Sequence, residues 1–504
     1  MFLCFFLSAD EQPEKKQEQK KEIITEKLTV TSHSMVLNGE TINYKATAGT
    51  LFFKDGKGDL KGEFFFVAYN KEEKEENTTR PITFCFNGGP GSSAVWLHMG
   101  VMGPKRIQIR NETFSPPPYK IIDNDYSFLD VTDLVFIDPI STGYSRAIPG
   151  EDEKQFHGVE EDIKSVGEFI RLYTTRFNRW NSPKFVLGES YGTTRAAGLS
   201  AHLHDDLRMY LNGVILVSAV LNFQTLDDEN PGNDLSYILY LPTFAATAWY
   251  HHKLDKELQK DLMQTLNEVE KFALTDYATA LLMGDALNPE KREEIVEAMS
   301  RYTGLSEDFI DKANLRVCES RFSKELLKEE GKGLGRFDSR YVGIVRNSCG
   351  EITNFDPSLD AVFGNFTAAF NSYVRQDLQW EKDDEYKVLA NVSPWNYGKA
   401  TNKYLNVTDN LRAVMMKNPA LRVYVASGYF DLAVPYLGSD YTFNHLGLDK
   451  ALKGHIQRGY YHAGHMMYLD PASLKQFKDE VGTFITKTVA EAAKENKMVS
   501  PSRE

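Results

Sequence analysis

A serine in a short glycine-flanked motif is the residue of this sequence best placed to carry out covalent chemistry. Ser190 lies in GESYG at 188–192, which matches the G-x-S-x-G pattern of a nucleophile on a sharp turn between a strand and a helix. The apolar run KFVL precedes the turn, and the helix-compatible run TTRAAGLSAHL follows it. A helix N-terminus favours a developing negative charge beside it. The pattern predicts a nucleophile, and the alternative is a glycine-rich turn with an idle serine.

A serine needs a histidine to accept its proton and a carboxylate to orient that histidine. After a nucleophile of this type the acid comes next in the chain and the histidine last, each following a strand. Asp431 follows the strand-and-turn run LRVYVASGYF, and His465 follows GYYHAG, so we predict these two residues as the partners of Ser190. Three competitors are less well placed in the chain: His462, Asp440 and Asp470.

The third requirement is a pair of backbone N–H groups that stabilise the oxyanion. One comes from the residue after the nucleophile, which is Tyr191. The other is expected from a glycine-rich loop after an early strand, and NGGPGSS at 87–93 follows ITFCF. A phosphate-binding loop is the rival interpretation, but no lysine follows at the spacing that such a loop requires.

The elements that must position these residues alternate along the chain. Residues 41–45 (TINYK) and 63–68 (EFFFVA) are predicted as antiparallel strands. Four short apolar runs follow and are predicted as buried strands: 82–86, 134–137, 184–187 and 213–218. Between the second and third of these runs, residues 159–177 have apolar side chains at helical spacing. This alternation predicts an α/β fold with a mostly parallel sheet flanked by helices.

The alternation stops in the middle of the chain, where charged helical patterns dominate. We predict five parts: a leader at 1–28, the first half of the core at 29–221, an inserted helical cap at 222–390, the second half of the core at 391–495, and a tail at 496–504. Aromatic residues of the cap could line an apolar subsite, although packing within the cap is the favoured interpretation: Tyr237, Tyr240, Phe244 and Trp249.

Composition excludes several classes of function. A net charge of −13 disfavours nucleic acids and anionic membranes as partners. No segment is apolar enough to span a bilayer. No Cys-x-x-Cys motif occurs, which argues against a zinc site, and no metal or organic cofactor is predicted.

Cys318 and Cys349 could pair if the protein is exported, but free thiols are the favoured interpretation. The apolar run at 1–7 is either an atypical signal, implying a secreted or periplasmic protein, or a ragged N-terminus.

Taken together, the motifs resemble the serine carboxypeptidase family, which has the α/β-hydrolase fold. The resemblance covers roughly 80–222 and 391–485, and the cap matches only in position. It depends on four runs in the same order and on a looser fifth match: NGGPGSS at 87–93, GESYG at 188–192, SGYFDLAVP at 427–435, AGHMMYLDP at 463–471, and DPISTGYS at 138–145.

The resemblance implies further residue roles. Gly89 would provide the second oxyanion N–H, and Asn87 and Glu189 would bind the terminal carboxylate of a peptide. An asparagine amide can donate to a carboxylate, whereas Glu189 can donate only when it is protonated. A glutamic acid kept neutral by desolvation would favour activity at acidic pH.

The sequence departs from the family pattern at several positions. Ser92 stands where eukaryotic members carry a cysteine, and their disulfide framework is absent, which suggests a bacterial-type branch. Val101 replaces a second carboxylate-binding glutamate of many members. Ser141 and Ile137 alter the family's D-x-P-x-G-T-G-[FY]-S pattern.

Three functions follow, in order of preference. The first is a serine carboxypeptidase that acts on peptides through an acyl-enzyme on Ser190. The second is an acyltransferase or esterase with the same machinery, which Val101 leaves open. The third is a catalytically silent binding protein, against which the complete set of catalytic residues argues. The sequence leaves a homodimer open.

Overall fold

The computed structural model describes residues 25–73, 79–109, 114–227, 230–350 and 353–499. The predicted leader therefore lies almost entirely outside the described residues. The strands are β1 Leu28–Leu37, β2 Glu40–Lys54, β3 Leu60–Lys71, β4 Ile82–Phe86, β5 Lys105–Ile107, β6 Ile121–Asp123, β7 Asp133–Ile137, β8 Arg146–Ala147, β9 Lys184–Glu189, β10 Gly213–Val217, β11 Lys332–Leu334, β12 Val342–Ile344, β13 Arg422–Gly428 and β14 Ile456–Tyr461.

One large sheet contains most of these strands, in the order β1-β2-β3-β7-β4-β9-β10-β13-β14, with β8 paired to β3. The pairs from β1 to β7 are antiparallel, and those from β7 to β14 are parallel. The predicted mostly parallel sheet is confirmed. Because the carboxyl ends of parallel strands lie at one edge, the segments that follow β4, β9, β13 and β14 meet there.

The helices are α1 Val95–Leu97, α2 Val159–Arg176, α3 Tyr191–Asp205, α4 Leu235–Tyr250, α5 Leu262–Phe272, α6 Ala278–Met283, α7 Pro289–Thr303, α8 Glu307–Lys312, α9 Glu319–Glu325, α10 Pro357–Gln376, α11 Thr408–Lys417, α12 Tyr436–Asn444, α13 Lys450–Lys453 and α14 Pro471–Val499. Helices cover both faces of the sheet, as the α/β-hydrolase fold requires. In β9, Phe185 and Leu187 pack in one hydrophobic cluster with α10 and α14, whereas Val186 packs in another with α2, α3 and α11. Side chains that alternate between two buried faces explain the continuous apolar runs in these strands.

A third hydrophobic cluster, the cap cluster, consists mainly of buried side chains between 238 and 334. It includes Tyr240 and Phe244, so these rings belong to the packing of the cap. It also contains Phe430 and Leu432, and the cap therefore packs directly on the segment that carries Asp431.

The predicted limits of the cap, 222–390, remain a prediction. Within them α10 does not join the cap cluster, because Val362, Phe366 and Phe370 pack with the sheet in the first cluster. Trp380 and Val388 do the same. We propose that the cap ends before α10.

The three cysteines in the described part of the chain, Cys85, Cys318 and Cys349, are free thiols. Cys4 lies outside the described residues. Across the described ranges, no helix combines the length and the apolar character that crossing a bilayer requires.

Candidate active site

Ser190 occupies the turn between β9 and α3 with φ +59° and ψ −129°, a strained conformation for a residue with a side chain. Its N–H donates to Val217 O at 2.9 Å, which ties the turn to the neighbouring strand β10. The flanking glycines are required sterically. A Cβ on Gly188 would lie 2.1 Å from Gly192 O, and a Cβ on Gly192 would lie 2.9 Å from Phe86 O.

His465 and Asp431 are hydrogen-bonded to each other, with Nδ1 and Oδ2 2.8 Å apart. The other oxygen of Asp431 accepts N–H groups from Ala433 and Val434, each at 2.9 Å. Asp431 is fully buried and His465 is 2% exposed. These contacts hold Asp431 in one orientation, so that it can hold the histidine in a single tautomer.

The second nitrogen of His465, Nε2, is buried and has no hydrogen-bond partner within the described ranges. Burial lowers the pKa of the imidazole, but the charge and hydrogen bond of Asp431, together with the charge of Glu189, outweigh burial and leave that pKa raised. The ring packs at 4.9 Å from that of Phe337, and the His465 N–H donates to Phe337 O at 2.6 Å. His465 is therefore a fixed imidazole whose Nε2 is open, an arrangement suited to a base.

The glycine-rich loop after β4 packs against the start of α3. A Cβ on Gly88 would lie only 2.5 Å from the Tyr191 nitrogen, so only glycine allows this approach. Gly89 has φ +100°, which also favours glycine. Gly89 and Tyr191 both line the cavity that contains Ser190.

A buried ion pair between Arg195 and Asp162 also contacts this glycine-rich loop. Arg195, on α3, donates through Nη1 to Asn87 O at 2.5 Å and through Nε to Asp162 Oδ2 at 2.7 Å. The guanidinium is 1% exposed and also lies over the rings of Phe86 and Tyr191. This pair was not predicted from the sequence, although an arginine five residues after the nucleophile and on the same helix was a usable signal.

Asn87 and Glu189 lie side by side, with Asn87 Nδ2 donating to Glu189 Oε1 at 2.9 Å. Burial raises the pKa of Glu189 to about 7, and the charge of His465 and the donors Tyr468 and Asn87 offset only part of that effect. Glu189 Oε2 and the Tyr468 hydroxyl are buried without a well-formed hydrogen bond in the described part of the chain. The pair therefore presents a carboxyl group that is largely neutral below neutral pH.

These side chains surround a cavity of about 220 Å³. Six of the seven predicted site residues line it, and the seventh, Asp431, lies behind His465. The remaining lining is mainly apolar: Trp96, Val220, Phe223, Leu226, Phe337, Leu359, Leu389, Ala433, Val434 and Met466. The lining also includes Arg336, which no sequence motif predicted.

The competing residues lie elsewhere. His462 is exposed and packs against Tyr429. Asp440 binds Arg458 and Tyr460, and Asp470 caps α14 through Ser473 N at 2.8 Å. Val101 is fully buried in the first hydrophobic cluster and does not line the cavity.

Comparison with known proteins gives a consistent result. A family model described as serine carboxypeptidase matches residues 39–468. The chain is similar to serine carboxypeptidase-like 22 of Arabidopsis thaliana, at 23% identity over 77% of this chain and 75% of that protein. It is also similar to the pheromone-processing carboxypeptidase KEX1 of Saccharomyces cerevisiae, at 31% identity over 26% of this chain and 18% of that protein.

Among solved structures, the chain is similar to the prohormone-processing carboxypeptidase KEX1(delta)p of Saccharomyces cerevisiae. The TM-score is 0.56 at 16% identity, over 88% of this chain and 91% of that chain. This likeness shows the α/β-hydrolase fold. The chain spans about a third or less of the length of the first curated relatives that it matches.

Proposed function

Because this chain belongs to the serine carboxypeptidase family, we propose that it releases C-terminal residues from peptides through an acyl-enzyme on Ser190. The observation that carries the proposal is the shared cavity. It is lined by a strained serine, a histidine bonded to a buried aspartate, and a carboxyl–amide pair suited to a terminal carboxylate.

In the first half of the reaction, His465 Nε2 takes the proton of Ser190 Oγ as that oxygen attacks the last peptide carbonyl carbon. The carbonyl oxygen becomes negative and is stabilised by the N–H groups of Gly89 and Tyr191. As the C–N bond breaks, the proton on His465 passes to the departing amine, which leaves as the C-terminal amino acid.

In the second half, His465 takes a proton from water, and the hydroxide oxygen attacks the acyl carbon. The bond to Ser190 Oγ breaks, and this oxygen recovers its proton from His465. Asp431 remains ionised throughout and stabilises the imidazolium. No metal or organic cofactor takes part in these steps.

Recognition of the free C-terminus is assigned to Asn87 and Glu189. The Asn87 amide donates to the carboxylate at any pH, whereas Glu189 donates only while it is protonated. The pKa of about 7 for Glu189 makes this donor available at acidic and neutral pH.

Release of single residues from N-terminally blocked peptides, read by mass spectrometry, tests the proposal. The wild-type chain should shorten these peptides from the C-terminus, and Ser190→Ala should not. Turnover of esters without any peptide shortening would favour the esterase or acyltransferase alternative, which the comparisons do not favour. Failure of a fluorophosphonate probe to label Ser190 would favour a silent binding protein.

Three further predictions remain open. Export to the periplasm or outside the cell is supported by the apolar run at 1–7, and the mass of the mature N-terminus tests it. A homodimer is tested by the mass in solution. The bacterial-type branch depends on Ser92 and on the missing disulfide framework.

A further inference from the structure

Arg336 is the one permanent cation among the described residues that line the active-site cavity. Its side chain is 52% exposed, and its ion pair is a long one, with Nε 3.7 Å from Glu319 Oε2. The guanidinium carries four more N–H groups in a planar fork that suits a carboxylate. The proposed steps of peptide hydrolysis need no permanent cation in this cavity.

The backbone around Arg336 is held firmly. The Arg336 N–H donates to Asp356 Oδ1 at 3.1 Å, and the next N–H, of Phe337, donates to Ser358 Oγ at 3.1 Å. The Phe337 carbonyl accepts the N–H of His465. The backbone of Arg336 is thus tied to the start of α10 and, through Phe337, to His465, which lines the same cavity as Ser190.

Arg336 and Asn87 line the same cavity, and a chain of contacts connects the segments that carry them. Leu359, one residue beyond Ser358, also lines the cavity, and α10 packs on α1 through Phe363 and Trp96, whose rings are 5.8 Å apart. The residue after Trp96 donates its N–H to Asn87 Oδ1. A C-terminal residue whose carboxylate binds Asn87 would therefore share this cavity with Arg336.

We propose that Arg336 binds a carboxylate of the residue being released. This carboxylate is one of two groups: the side chain of a C-terminal Asp or Glu, or the terminal carboxylate itself. The second is included because Val101 replaces the second carboxylate-binding glutamate of many family members. The inference rests on the proposed function. Opposite charge attracts such substrates even though the protein as a whole carries −13.

The test compares kcat/KM for three blocked peptides that end in Glu, Gln or Lys, and for the Gln peptide with its C-terminus amidated. The variants are Arg336→Gln, Arg336→Glu and a control, Arg375→Gln. Arg375 is similarly exposed, at 42%, but pairs with Asp383 and does not line the cavity. Labelling by a fluorophosphonate reports that each variant is folded and carries an active Ser190.

If Arg336 reads the side chain, the wild type should prefer Glu over Gln by on the order of tenfold, as expected for a hydrogen bond to a charged group. Arg336→Gln should abolish this ratio, and Arg336→Glu should shift the preference to Lys. If Arg336 reads the terminal carboxylate, Arg336→Gln should lower kcat/KM about equally for all three peptide acids and not for the amide. Arg375→Gln should change none of these values.

A labelled Arg336→Gln variant that keeps the wild-type kcat/KM for all three peptide acids and for the amide would overturn the inference, and it would leave the proposed function intact. A wild-type chain that releases no residue from any of the peptides would overturn the proposed function as well, so the two failures are distinguishable.

Discussion

The amide of Asn87 donates a 2.9 Å hydrogen bond to the carboxyl group of Glu189, and both side chains are buried beside the nucleophile. Burial of a carboxylate is costly, because desolvation penalises its charged form, and the charge of His465 offsets only part of this cost for Glu189. Glu189 therefore titrates at about 7 instead of near 4.5. Under the proposed function, this relationship would make the recognition of a free C-terminus depend on pH.

The first prediction concerns this pH dependence. Below about pH 7 Glu189 is protonated and donates to the substrate carboxylate, whereas above it the ionised group repels the substrate. The kcat/KM for peptide acids should therefore fall as the pH rises through about 7. In Glu189→Gln the side chain is a donor at every pH, so this alkaline fall should disappear. An acid-side fall should remain, because His465 must be neutral to act as a base.

The control for this prediction is a substrate without a free carboxylate. A peptide amide or ester should lack the alkaline fall even with the wild-type enzyme. A peptide-acid profile that stays flat from mildly acidic to alkaline pH would contradict the role of Glu189.

The second prediction concerns the carboxylate behind the base. Asp431→Asn keeps a side chain of the same shape, but its amide cannot hold the histidine in the required tautomer or stabilise the imidazolium. We expect kcat to fall by about 10³- to 10⁴-fold. Asp440→Asn is the matched control, since Asp440 binds Arg458 and Tyr460 away from the cavity. Comparable losses in the two variants would contradict the assignment of Asp431.

The third prediction concerns the oxyanion loop. In Gly88→Ala the new Cβ would clash with the Tyr191 nitrogen, which is 2.5 Å away, and push the loop off the start of α3. Loss of one oxyanion donor costs about 10²- to 10³-fold in kcat, and we expect a loss of this size with KM little changed. Gly56→Ala is the control, because its Cβ would meet no atom within 4 Å. An active Gly88→Ala enzyme would show that this loop does not form the oxyanion site.

The fourth prediction concerns the buried pair of Arg195 and Asp162. Arg195→Met leaves Asp162 as an unpaired buried carboxylate and removes the donor to Asn87 O. The free energy of unfolding should fall by about 3–5 kcal/mol. Urea unfolding at pH 7 measures this change, and a loss below 1 kcal/mol would contradict it.

The control for the fourth prediction is Arg171→Met on the exposed side of α2. Arg171 pairs with Glu168, but its side chain is 36% exposed. Exposed ion pairs contribute about 0–1 kcal/mol, so this variant should unfold almost as the wild type does.

Much of the site could be predicted because local chemistry restricts it. A serine on a strained turn needs small neighbours, so Gly188 and Gly192 mark it in the sequence. Buried parallel strands have to be apolar on both faces, so β4, β7, β9 and β10 are visible as short apolar runs. The order of the acid and the histidine, each after a strand, then identifies Asp431 and His465.

Other features could not be predicted. The contribution of α10 to the sheet packing was missed because its pattern resembles the helices of the cap, and an amphipathic pattern does not specify which surface it will cover. Arg336 carries no motif at all. It enters the cavity because the segment between β11 and β12 is tied to Asp356, Ser358 and His465, which are distant in the chain.

The sequence by itself determined that Ser190 has the surroundings of a nucleophile and that a base and an acid follow it in the right order. These properties depend on residue types within a few positions of one another. The family resemblance implied a shared role for Asn87 and Glu189 and a neutral Glu189, but only the tertiary structure gave their hydrogen bond, the extent of burial that raises the pKa of Glu189, and the place of Arg336 in the same cavity as Ser190. The reason is physical, since burial and charge–charge contact depend on distances between residues that are far apart in the chain.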